Sequence, residues 1–424
     1  LPDPIRAYRA NLASHESARP REAGGPVFDR PSIAVLPFAN MSGDPGQDYL
    51  SDGITEDIIT ELSRFRSLRV IARNSSFTYK GRSVRAQEVG RDLGVAYMVE
   101  GSVRQAGKRM RVTAQLIATE TGEHLWAERY DRNLEDIFAV QDEITRAIAA
   151  AVEPELGTAE RERSRRKAPG SLNAWDWYQR GLWHLYQDTK ASNAEALRDL
   201  ERAIELSPEF APAYAVSAHV LFQDIISGHR DLAGASIDEA FRMAQRAVAL
   251  DDRDAMAHMV LGRIHLLRRR HEDSVSELET AVALNPSYAD AYHALGFSLT
   301  YAGRPQDAVP QFETAIRLSP FDPRVSSFHE MRAWSLLVLG HYEEAAESAR
   351  LSVRRPNAQI WAYATLTAAL GHLGHLDEAR AARDELLKRK PDFCADFVRT
   401  FVYYNKDPNH LERYIEGLQK AGVP

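Results

Sequence analysis

The rhythm of apolar and polar positions changes along this chain, and each rhythm predicts its own kind of element. Ser32–Phe38 (SIAVLPF) is short and almost wholly apolar, the mark of a buried strand. A loop of turn residues, Asn40–Gly46, follows. Leu50, Ile54, Ile58, Ile59 and Leu62 then share one face of a helix over Leu50–Arg64. Leu68–Ala72 reads as a second buried strand, and Val84–Leu93 as a second helix ended by Gly94. Three strands come next, Tyr97–Arg104, Arg109–Ala118 and Glu123–Tyr130, separated by the turn sequences QAGK and TETG. In the middle strand Met110, Val112, Ala114 and Leu116 face one way, and Arg109, Arg111, Thr113 and Gln115 the other. An amphipathic helix over Leu134–Val152 closes the unit. The pattern predicts an α/β domain over 29–152, a mixed sheet with flanking helices.

From residue 171 the period turns helical and the chain begins to repeat itself. Leu261-Gly262 superimposes on Leu295-Gly296, Leu278 on Phe312, Ala281 on Ala315 and Pro286 on Pro320, always at an offset of 34 residues. Small Gly262 and Gly296 let one helix approach its partner closely, Ala281 and Ala315 do the same from the other side, and the prolines end the second helix. A helix pair this short cannot bury its apolar face alone, so neighbours must stack. The period and the small-residue positions are those of tetratricopeptide repeats. About six copies are expected over 171–424, the second with a lengthened turn at Asp224–Ile237, and Asp396–Pro424 as a degenerate terminal cap. The fold class expected for the whole is thus an α/β domain followed by an all-α tetratricopeptide-repeat superhelix.

Between the two rhythms, 153–170 is rich in Glu and Arg and reads as a charged, solvated connector helix. Residues 1–28 have little periodicity. Leu1–Ala10 is expected as a short strand or tail, and Asn11–Asp29 as a linker.

Phrases within the first unit carry a resemblance. IAVLPFANMSGDPGQDYLSDGITEDIITELSRF, then YMVEGSVRQAGKRMRVTAQLIATETGEHLWAERYDRNLEDIFAVQDEI, resemble the TolB amino-terminal-like domain. In bacterial signalling proteins that domain stands before tetratricopeptide repeats, behind either a winged-helix regulator or a class III nucleotide cyclase. LPDPIRAYRA is similar to the last strand of class III cyclase domains, and DPNHLERYIEGLQKAGVP to the end of cyclase-linked repeat proteins. The resemblance implies the regulatory region of a bacterial class III adenylate cyclase whose catalytic domain lies upstream. It also leaves open the tail of a winged-helix transcription regulator.

Composition narrows the chemistry. A formal charge of -7 argues against a dedicated nucleic-acid binder. A single cysteine, Cys394, excludes an internal disulfide framework and suits a reducing, cytoplasmic compartment. No apolar run approaches the roughly 18 residues of a membrane span, and no initiator Met opens the sequence, as expected of a piece of a longer chain. There is no phosphate-binding glycine motif; Gly43, Gly46 and Gly53 read as ordinary loop glycines. His372 and His375 flank a turn, His265 and His271 an Arg-rich helix end, and no set has metal-ligand spacing. No catalytic residue, metal or cofactor is therefore assigned.

What remains is the concave face of the repeats. The positions that face it hold Tyr178, Tyr186, His219, Phe222, Met259, Arg263, His293, Phe297, Tyr301, Glu330 and Trp334. Aromatics and Arg dominate binding hot spots. A peptide or protein is the expected partner, with Arg263 and His293 gripping an acidic group, and the chain's own cyclase domain is one candidate. The pattern does not set an oligomeric state.

Overall fold

The computed structural model describes residues 30–424 apart from 134–135, 168, 188, 231–233, 321, 323 and 357. The expected tail and linker before residue 30 lie outside the described residues.

The first unit is built as β1 (Ser32–Val35), β2 (Ala39–Asn40), α1 (Asp48–Leu62), β3 (Arg69–Val70), α2 (Arg73–Ser76), α3 (Ala86–Leu93), β4 (Tyr97–Ala106), β5 (Arg109–Ala118), β6 (His124–Asn133) and α4 (Ile137–Arg166). Its sheet runs β3-β1-β4-β5-β6, with β2 paired to β4. The pairs β1–β3, β1–β4 and β2–β4 are parallel, and β4–β5 and β5–β6 are antiparallel. The sheet is therefore mixed, as the strand–helix–strand opening and the closing meander require. Alternation in β5 decides which face is wet: Met110, Val112, Ala114 and Leu116 are buried, whereas Arg109 and Arg111 are exposed. That buried face packs on α1 and α4 through Ile54, Ile58, Ile144 and Ile148. On the other face, Val89 of α3 covers Ala34, Met98 and Ile117. Gly101 is a point of forced closeness, since a Cβ there would meet Thr113 O at 2.2 Å and the Phe38 ring at 2.5 Å.

The closing helix departs from expectation. It was expected to stop near Val152, with a separate solvated connector beyond. Instead α4 runs unbroken through Pro154 for 30 residues in all, or about 45 Å at 1.5 Å per residue. Proline removes one helical hydrogen bond, yet the buried stripe Ile148, Val152, Leu156, Glu160 and Ser164 continues at four-residue steps on both sides of it. Tertiary burial of that stripe outweighs the local penalty. Glu160 is fully buried and accepts from Tyr97 Oη (2.7 Å), Trp175 Nε1 (3.1 Å) and Arg163 Nη2 (2.9 Å). This carboxylate ties the sheet, the long helix and the first repeat together. Nearby, buried Asp176 receives Lys167 Nζ at 2.7 Å and Ser164 Oγ at 3.1 Å. Two further contacts join the units at a distance in sequence: Arg66 to Asp251 at 2.9 Å, and Ser287 Oγ donating to Glu61 at 2.8 Å.

Six helix pairs follow among the described residues. They are α5 (Ala174–Leu185) with α6 (Lys190–Leu206), α7 (Ala211–Ile226) with α8 (Gly234–Leu250), and α9 (Ala255–Leu267) with α10 (His271–Leu284). Then come α11 (Ala289–Tyr301) with α12 (Pro305–Leu318), α13 (Val325–Leu339) with α14 (Tyr342–Val353), and α15 (Ile360–Leu373) with α16 (Leu376–Arg389). The repeat glycines act as the spacing predicts. A Cβ on Gly262 would fall 2.6 Å from Leu278, and one on Gly296 2.7 Å from Phe312. Asn173 and Thr189 close capping boxes at the starts of α5 and α6.

The last elements, α17 (Ala395–Phe401) and α18 (Pro408–Lys420), were expected only to cap the stack. α18 does pack on α15: Gly417 sits where a Cβ would meet Ala368 O at 2.4 Å. The segment before it does something else. Residues 401–407 fold back over the inner face of the array as a strap, with Lys406 N bonded to Tyr301 O at 2.9 Å and Tyr403 Oη to Leu267 O at 2.7 Å.

Candidate functional site

The first helix of each pair lines the concave face, and these helices are apolar nearly all round. In α9 every residue except Met256 is buried. Such a helix is enclosed on several sides, and here the sides are neighbouring repeats, α4 and the strap. The eleven positions singled out from the sequence all border two adjoining cavities. Tyr178, Tyr186, His219 and Met259 line a smaller one of about 290 Å3, which α4 borders through Leu156, Gly157 and Arg161. Phe222, Arg263, His293, Phe297, Tyr301, Glu330 and Trp334 line a larger one of about 670 Å3 beneath the strap. Gln223, Arg324 and Gln359 border both.

The expected open groove is thus partly filled by the chain itself. Tyr404 meets the Tyr301 ring edge-on at 4.9 Å, and Tyr414 stacks on Trp334 at 3.8 Å. These two aromatics of the predicted site pack first against the carboxy-terminal segment. Tyr186 is the exposed member of the set, at 49%, and Arg161 lies 4.5 Å over its ring. Sequence reasoning missed the opposite wall, which contains Trp361, Phe401 and Tyr404, as well as Arg324. The aromatic run Phe397–Tyr404 in an otherwise polar tail carries a signal for that wall, because so many rings must bury against something. Arg324 carries none, since its partner Asp290 belongs to the preceding repeat.

Charge is distributed unevenly in the larger cavity. Arg263 is 4% exposed, and its Nη2 donates to His293 Nδ1 at 3.2 Å while the guanidinium lies 5.4 Å over the Phe222 ring. No carboxylate pairs with it among the described residues. Burial, then the nearby Arg324, pushes its pKa down to about 9. Because Nδ1 of His293 accepts, the ring proton sits on Nε2, which faces Ser327 Oγ at 3.2 Å. Burial, aided by Arg263, holds His293 well below the ordinary imidazole range, so it is neutral. His219 is neutral for the same reasons, and its buried Nδ1 has no partner among the described residues. Glu330, also buried, has Thr365 Oγ1 at 3.5 Å as its hydrogen-bond neighbour, and burial pushes its carboxyl up to about 8.

Nε2 of His293 carries its proton toward Ser327 Oγ, so that hydroxyl is not held for deprotonation, and among the described residues no group of three His, Cys, Asp or Glu could hold a metal ion. No helix among those residues is long and apolar enough to cross a membrane.

Comparison with known proteins places names beside these units. Residues 29–147 match the family described as HilA/YgeH-like transcriptional regulator, second domain. That is a different named domain from the TolB-like one its phrases resemble. Residues 228–289 and 293–359 match the tetratricopeptide repeat family. A protein of Rhizobium meliloti (strain 1021) named "Putative adenylate cyclase 3" is 47% identical over 232 residues, covering 55% of this chain. The match spans 40% of that protein's length. Among solved structures, a Pseudomonas aeruginosa protein described under "Functional Characterization of Pseudomonas Aeruginosa pilF" is similar at TM-score 0.39 and 20% identity, over 55% of this chain and 95% of that one. The Cut9-Hcn1 structure is similar at TM-score 0.47 and 16% identity, over 63% and 48%. At these scores the likenesses bear on neither ligand nor partner. The chain carries tetratricopeptide repeats and has a homologue named as an adenylate cyclase.

Proposed function

We propose that this chain is a non-catalytic regulatory and protein–protein interaction region of a bacterial adenylate cyclase-type signalling protein, working in the cytoplasm. Its α/β unit, with boundaries near 29 and 152, joins the repeats through the long helix, and recognition takes place on the concave face. Tetratricopeptide repeats imply protein–protein interaction, and the cyclase-named homologue supports the attached activity. The observation that carries the reading is the buried Arg263, unpaired with any carboxylate among the described residues, beside a sizeable cavity on that face. Burying a charge without a partner is costly, and a binding surface is where such a cost is recovered. A polypeptide partner reaches the face alongside the strap or by displacing it, and the upstream catalytic domain is one candidate.

A second reading rests on the transcriptional-regulator description matched over 29–147. In it the same region is the tail of a winged-helix regulator. One experiment separates the two. Cyclic AMP synthesis is measured for the full-length protein with and without residues 171–424, beside its retention on operator DNA. A rate that changes on truncation supports the cyclase reading. An unchanged rate defeats the regulatory role, and DNA retention without cyclic AMP synthesis moves the assignment to the regulator.

A further inference from the structure

The space beneath the strap has the dimensions of a small-molecule site. At about 670 Å3 it falls within the roughly 300–1,000 Å3 typical of such pockets. A through-running peptide needs a continuous channel, and here the strap crosses the face. Tyr404 packs on Tyr301, and Lys406 is fixed at both ends, its backbone N to Tyr301 O and its Nζ to Glu272 at 3.1 Å. What is left is a chamber with aromatic walls, among them Phe222, Phe297, Trp334, Trp361 and Phe401.

The charges lining that chamber do not balance. Arg230 pairs with Asp224 and Glu239, Arg324 with Asp290, and Lys390 with Asp392. Among the described residues Arg263 has only a neutral imidazole and a ring face. Glu330 does not cancel it: no ion pair joins the two among the described residues, its side-chain neighbour is Thr365 Oγ1, and burial pushes its carboxyl up to about 8. One positive charge therefore stands over in an aromatic-walled chamber, and one carboxylate answers it in charge and in hydrogen-bond geometry. A dianion would call for a second free cation, and the other cations already have partners.

We propose that the chamber under the carboxy-terminal strap binds a small organic monoacid, its carboxylate on Arg263 and its aromatic or apolar body against Trp334, Trp361 and Phe401. The inference rests on the reading of the concave face as a recognition surface and adds a small ligand to it. Because the strap forms one wall, the acid bridges strap and repeats, so its occupancy couples to whatever the strap admits.

The test titrates the whole chain with 4-phenylbutyrate, its neutral amide and phenyl phosphate. Calorimetry and quenching of tryptophan fluorescence are the readouts, the latter because Trp334 and Trp361 line the chamber. The acid should bind at least about tenfold more tightly than the amide. Arg263→Met should bring the acid down to the amide's affinity and leave the amide unchanged, with a thermal midpoint no lower than wild type. Arg263→Lys, which keeps the charge, should retain a preference for the acid. Equal affinity for acid and amide, no binding of either, or an Arg263→Met chain that still prefers the acid would overturn the proposal. Tighter binding of phenyl phosphate would overturn the monoacid assignment. A tetrapeptide with a free carboxy-terminal Phe that outcompetes the small acid would make this a chain-terminus site instead. Capture of a protein partner by a chain indifferent to the acid would leave the interaction reading standing while this one fell.

Discussion

Glu160 and Arg263 are both buried charges, and the molecule treats them in opposite ways. At the junction of sheet and repeats, Glu160 takes hydrogen bonds from Tyr97, Trp175 and Arg163. On the concave face Arg263 has, among the described residues, one hydrogen bond to His293 at 3.2 Å and the Phe222 ring face, and no carboxylate. A satisfied buried ion fixes the arrangement around it, because any other packing would orphan its donors. An ion left short of partners stabilises nothing and persists where binding restores the balance. The junction is therefore the structural anchor of the molecule, and the concave face is the surface we propose for recognition.

The comparison presupposes a rigid stack, and the largest effect should come from breaking it. Gly296→Trp forces an indole into the Phe312 ring where α11 meets α12. Overpacking of this kind costs on the order of 3 kcal/mol or more, and a thermal melt should lose its cooperative transition. A wild-type melt would mean the repeat register is wrong. Next comes the anchor itself. Glu160→Ala orphans the Tyr97 and Trp175 donors and should cost about 3 kcal/mol, read by urea unfolding; a loss below about 1 kcal/mol would remove the contrast with Arg263.

The concave face should answer to pH. Glu330 has its folded pKa raised to about 8 from an ordinary value of 4.5. Its sign is that of a buried acid: the stability attached to the neutral carboxyl is full below 4.5 and is lost as pH climbs through about 8. Urea midpoints measured from pH 5 to 9 should fall further for wild type than for Glu330→Gln. Parallel curves would show that the carboxyl ionises freely in the fold. The smallest effect belongs to the exposed tie between the units. Arg66→Ala removes the ion pair with Asp251, whose Arg side chain is 42% exposed, and should cost under about 1 kcal/mol. A larger loss would shift the anchor from Glu160 toward this contact.

Local pattern made much of this legible. The alternation of Met110–Leu116 fixed one face of β5, and the Gly262/Gly296 offset fixed the repeat and therefore which helix faces inward. From that register the eleven concave residues could be named, and all of them border the two cavities. The charged composition of 153–170 read as a solvated connector helix, because the buried stripe that runs on to Ser164 is hidden among its Glu and Arg residues. The cap reading of the tail was incomplete, since α18 packs on α15 while the segment before it crosses the inner face. Its rings showed that it must bury, and only the superhelical curve of the preceding repeats decided that it would bury on the inner face.

Sequence by itself determined the elements, the 34-residue period and the set of side chains presented inward, because these follow from spacing along one chain. Tertiary structure decided that Glu160 would be saturated and Arg263 left over. Hydrogen-bond partners are assigned in space: Tyr97 lies 63 residues from Glu160, and no periodicity records that they meet.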